Sequence, residues 1–201
     1  MIFLLKNTHK KIMLLACDYL LIPEKTKLKL AEYCQEPDDG DKLTERVLKH
    51  ILIPIPGGHI GNAADAVSKC LDSTEEDRIA LLGQASHYLV DICSPFHTSL
   101  YSFYRQGYHD IVEKDINSNF DKWISEYSPH PIKIRSIEGG MLNIAKNSQL
   151  IANDMLLGFA KYELLGEEYP NDLMEKSLFR AIDAQIAFLQ YAINLGIIDG
   201  R

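Results

Sequence analysis

The chain has 201 residues, 46% of them hydrophobic, four cysteines and a formal net charge of -7. That length and apolar content suit one domain over residues 1–201 with a sizeable core rather than two small ones. The negative balance speaks against a surface built to attract a phosphate backbone, and no stretch approaches the roughly 18 apolar residues that span a bilayer.

Apolar spacing predicts helices and no strand, hence an all-α protein of one antiparallel multi-helix domain. The first helix is expected over 8–22, with Ile12, Leu15, Ala16 and Tyr19 as its apolar stripe, Asn7 or Thr8 as cap and Pro23 as stop. The same segment places basic residues before apolar ones, and LLAC is like a lipoprotein cleavage box ending at Cys17. The apolar run after Lys11 is nevertheless shorter than a signal core of about 7 to 15 residues, so the segment is read as part of the domain. Cys17, Cys34, Cys70 and Cys93 form no CxxC, and with no export signal they favour a reducing cytoplasm.

A second helix is expected over 25–34, ended by the turn around Pro37 and Gly40, and a third over 41–51. IPIPGGHIGN reads as a loop, since two prolines and three glycines oppose helix continuation. The helix over 75–93 contains Gly83, which permits close approach of another helix, and it closes at Pro95. Beyond the aromatic run at 101–104 come helices over 108–127, 136–165 and 171–195. In the penultimate one, Met141, Ile144, Ala145, Ile151, Met155 and Phe159 form a stripe read as core.

Five of the seven histidines join carboxylates in one patterned set. His87 and Asp91 in HYLVD, His97 in SPFH, and His109 and Glu113 in HDIVE are separated by four, six, twelve and four residues. The two i,i+4 pairs each put both side chains on one helix face, where they can converge on a cation. Upstream, His9 follows Thr8, and Asp38 in PDDGD stands twelve residues before His50. A lone histidine beside lysine, as at His9 or His50, is usually a solvated residue; Asp91 inside a core-like run is different, because a carboxylate is rarely buried unless paired or metal-bound. His59 competes with His50 as a ligand, and His50 is favoured by its interval from Asp38. Imidazole and carboxylate together suit a borderline divalent ion such as zinc, whereas magnesium and calcium prefer oxygen.

The ordered set TH, PD, H, HYLVD, PFH and HDIVE, from Thr8 to Glu113, resembles the zinc-dependent phospholipases C, a bacterial family related in fold and ligands to the fungal single-strand-specific zinc nucleases. The resemblance implies one ion on Asp38, His50, His87 and Asp91, and another on His97, His109 and Glu113. A third in the family uses the histidine matching His9, the aspartate matching Asp91 as a bridge, and an N-terminal tryptophan. The one tryptophan here is Trp123, so two to three zinc ions are expected. Asp38 would be catalytic, orienting the attacking water.

The expected activity is phosphodiester hydrolysis, with a phospholipid as first substrate class and a membrane surface as transient partner. Glu113 and the twelve residues from His97 to His109 match the phospholipases, whereas the nucleases have a longer insertion and an aspartate there. Asp39 stands where that family has an aromatic of the choline site. Phe96, Tyr101, Phe103 and Tyr104 could wall a lipid or base site, although such clusters at helix junctions are usually packing. The second reading is a nuclease or other phosphodiesterase with the same zinc cluster, and the third is a metal-binding homologue without turnover.

Overall fold

The computed structural model describes residues 3–35, 59–95, 106–130 and 132–200. Among these residues it is all-helical: α1 (Phe3–Tyr19), α2 (Glu24–Tyr33), α3 (His59–Cys70), α4 (Glu75–Cys93), α5 (Gln106–Ile124), α6 (Ile137–Leu165) and α7 (Asn171–Asn194). The hydrophobic core draws side chains from all seven. No helix among the described residues is long and apolar enough to cross a membrane.

α1 begins earlier than its polar residues predict. Asn7 and Thr8 are not caps but lie within the helix, where both approach Asn117 of α5 at 3.4 Å, while Lys11 pairs with Asp121 at 3.2 Å. The buried stripe is His9, Ile12, Met13, Ala16, Cys17 and Leu20, which corrects the expected one: Tyr19 is exposed and Leu15 only half-buried. Every member recurs at three or four residues, so His9 stands in phase with the core. The helix ends in a Schellman turn. Leu21 occupies the left-handed region at φ 51 while the Ile22 amide donates to the Cys17 carbonyl at 3.0 Å.

α4 is the axis around which the others pack, touching α1, α2, α3, α6 and α7. Its start is set by Thr74, whose hydroxyl accepts from the Asp77 amide, and by three acidic residues in the first turn, where the helix dipole favours them. From Ala85 to Cys93 every residue is buried, so this half has no solvent face. A helix in that position is normally apolar all round, and here it carries Ser86, His87 and Asp91.

α3 is a correction to the sequence reading, which carries the loop IPIPGGHIGN through Asn62 and assigns no helix between that loop and residue 75. The prolines and the glycine pair end before His59, and NAADAV continues as helix with Ala63, Ala66, Val67 and Cys70 buried. On α6, the stripe from Met141 to Phe159 is core as expected. Gln185 on α7 is fully buried and donates to the Ser86 hydroxyl at 3.0 Å.

Candidate metal centre

Three side chains from two helices meet beside the core. His9 comes from α1, His87 and Asp91 from successive turns of α4, and they are 4%, 1% and 3% exposed. Asp91 divides its carboxylate between them: Oδ1 lies 3.2 Å from His9 Nε2 and Oδ2 lies 3.3 Å from His87 Nε2. The two imidazoles stack with centroids 4.5 Å apart and planes 18° from parallel. One donor atom from each residue lies within 4.8 Å of the other two, a buried grouping that could hold a metal ion.

Hydrogen bonding assigns the tautomer of His87. Its Nδ1 lies 3.0 Å from the carbonyl oxygen of Cys34, which can only accept, so Nδ1 carries the proton. In neutral imidazole this turns the Nε2 lone pair toward Asp91 Oδ2, and two acceptors facing each other repel. A proton placed between the two groups, or a cation near both atoms, removes that repulsion. A backbone carbonyl holding the far nitrogen of a histidine is the usual outer support of a metal-ligating imidazole. His9 Nδ1 is buried with no hydrogen-bond partner among the described residues.

The two nitrogen–oxygen separations, 3.2 and 3.3 Å, engage different oxygens of Asp91, and one donor atom from each of the three residues falls within a spread of 4.8 Å. Two nitrogens and a carboxylate make up the donor set of three-ligand catalytic sites, which keep a position for water.

A cavity of about 50 Å³ adjoins His9 and Asp91 and is walled by Ile12, Val90, Ile116 and Leu178. Glu113 of α5 lines the same cavity and is half-buried, outside the close group of three. α5 therefore places the acidic residue of its predicted i,i+4 pair on the wall of the cavity beside His9 and Asp91. His109 lies in the first turn of α5, and its side chain is outside the described atoms. Asp38, His50, His97, Phe96, Tyr101, Phe103 and Tyr104 lie outside the described residues; His59 is the first residue of α3, with its side chain likewise outside them.

Two parts of the site had no direct motif. The Cys34 carbonyl is a backbone group, and its only sequence signal is Gly83, one turn before His87. Gln185, which holds Ser86 beside His87, has none.

The cysteines take no part in the close group. All four are buried and none is in a disulfide. Burial pushes the Cys17 and Cys93 thiols up to about 12 and Cys70 up to about 11. Thiols so far from ionisation are poor ligands and nucleophiles.

No protein-family model matches this chain, and no curated protein sequence does either.

Proposed function

We propose that this protein is a zinc-dependent phosphodiester hydrolase, similar to the phospholipases C, acting on phospholipids. The single observation that carries the reading is the division of one buried carboxylate, Asp91, between His9 and His87. The resemblance carried by TH, HYLVD and HDIVE makes the same prediction: Asp91 as the shared ligand, with His87 on one ion and His9 on the next. His9 and His87, 78 positions apart in the chain, stack over this buried acid, and a cation held among the three would compensate its charge.

His9, His87 and Asp91 would hold the metal, with Glu113 contributing from across the cavity. Zinc in such a site lowers the pKa of a bound water toward 7 and neutralises charge on phosphate oxygens. The protein's own contributions follow from geometry. Cys34 holds the His87 ring by its far nitrogen, the buried flank of α4 keeps Asp91 from bulk water, and the apolar cavity wall limits competing solvent near the acid. Asp38 is proposed to orient the attacking water. Four reduced thiols are in keeping with a cytoplasmic location, which we propose with it.

Elemental analysis of zinc-loaded protein, followed by assays on emulsified phospholipid, single-stranded DNA and RNA, and a chromogenic phosphodiester, tests the reading. Two to three zinc ions per chain and turnover of phospholipid and chromogenic ester are expected. Turnover of nucleic acids alone would replace phospholipid by nucleic acid as substrate. Full metal content without turnover of any of them would leave a metal-binding protein, and absence of bound metal would overturn the whole reading.

A further inference from the structure

Gly83 lies one turn before His87 on the same face of α4, the face met by the C-terminus of α2. A β-carbon at Gly83 would sit 2.6 Å from Cβ of Tyr33, 3.1 Å from the Tyr33 carbonyl carbon and 3.2 Å from the Cys34 amide nitrogen. Two of these three neighbours are backbone, which cannot rotate aside. The approach is therefore available only to glycine. It is this approach that brings the last carbonyl of α2 onto His87. Cys34 is the C-cap of α2 and is buried, so its carbonyl belongs to the set that a helix end leaves without an intrahelical donor. His87 Nδ1–H answers it at 3.0 Å. The negative end of the α2 dipole points at the same ring and raises the basicity of its other nitrogen.

We propose that Gly83 is a positioning residue for the metal centre: its missing side chain lets the α2 terminus seat the Cys34 carbonyl on His87, which holds the imidazole as the Nδ1–H tautomer with the Nε2 lone pair toward Asp91. The inference rests on the metal-binding part of the proposed function and is independent of the substrate. A Gly83→Ala chain would be a better helix former at that position, so any loss comes from the contact with α2 and not from helix propensity. The added methyl drives α2 outward and stretches the hydrogen bond. Outer-shell partners of this kind are worth about 10–100-fold in metal affinity.

The test has two readouts. Long-range proton–nitrogen correlation spectra of the metal-free protein report which His87 nitrogen is protonated, and titration of Zn2+ against a chelating dye reports affinity. In the wild type, His87 is expected to carry a proton on Nδ1; finding Nδ1 unprotonated overturns the proposal at once. Gly83→Ala is expected to lose the fixed Nδ1–H signal and to weaken zinc about 10-fold or more. The double variant Tyr33→Gly, Gly83→Ala removes the closest of the three contacts, at 2.6 Å, and leaves the two backbone ones at 3.1 and 3.2 Å. It is expected to regain part of the signal and affinity lost in Gly83→Ala, and no recovery relative to Tyr33→Gly alone would overturn the proposal. A Gly83→Ala protein with unchanged tautomer and affinity would overturn the proposal, as would weakened zinc with an unchanged tautomer. Wild-type protein that binds no zinc while showing Nδ1–H would instead sink the metal-centre reading and leave the packing role of Gly83 standing.

Discussion

HYLVD and HDIVE have the same spacing, histidine then carboxylate four residues on, and the structure puts them in different surroundings. His87 and Asp91 lie on the half of α4 that has helices on every side, whereas Glu113 lies on α5, whose neighbours Asp110 and Ile111 are exposed. In α4 the acid is enclosed and must be compensated by what touches it. In α5 the acid borders a small cavity and keeps partial access to solvent. Spacing thus establishes that two groups share a helix face; the depth of that face, and so the energetic demand for a partner or an ion, is set by the packing around the helix.

The largest expected break in this comparison is Asp91→Asn. Removing the acid from a buried ionic group typically costs about 3 kcal/mol or more, because the remaining charge is stranded. Asp91→Asn should also lose more zinc than His9→Ala, since Asp91 serves both histidines. Urea unfolding and elemental analysis check the two statements, and equal zinc retention in the two variants would contradict the sharing of Asp91. Glu113→Gln should be milder, changing stability within about 1 kcal/mol and removing at most one ion. A loss as large as that of Asp91→Asn would erase the distinction between the helices.

Cys93, the last residue of α4, sharpens the same contrast through pH. Burial pushes its thiol up to about 12 from an ordinary value of 9.0, as it does for Cys17. The native state keeps these protons while the unfolded chain loses them, so the associated stability is complete below about pH 9 and declines as pH rises toward 12. Tyr127 and Tyr169, raised first by burial and then by hydrogen bonds to Asp183 and Asp115, act in the same direction above pH 10. Urea midpoints should hold between pH 8 and 9 and fall between pH 9 and 11, and thiol reagents should find the native protein unreactive at pH 8; a flat midpoint profile across pH 9 to 11 would contradict the enclosure of α4. The smallest effect is expected for His59→Ala. It should leave zinc content unchanged, and loss of an ion would move the ligand role from His50 to His59.

Much of the helical plan can be read from local signals. The bounds of α4 match the expected 75–93, because Thr74 offers a cap and Pro95 a stop. α3 escapes because prolines and a glycine pair precede it closely and its core face is mostly small: Ala63 and Ala66 give a weak apolar period. His9 is harder still, since two lysines follow it and make it look solvated. Its phase with Ile12, Met13 and Ala16 is the available clue, and that phase is obscured when Leu15 and Tyr19 are taken as the stripe.

The one-dimensional pattern was enough for the all-helical character of the described residues, for the His87 and Asp91 pair on one face, and for the suspicion that a carboxylate inside HYLVD needs a counter-charge. Helix periodicity is local, so residues four apart report on one another without knowledge of the rest. Only the packed molecule brought His9 across from α1, set the Cys34 carbonyl against His87 through the gap at Gly83, and enclosed Asp91. Those contacts join positions far apart in the chain, and they depend on how closely whole helices approach, which is decided by the summed fit of their faces rather than by any single motif.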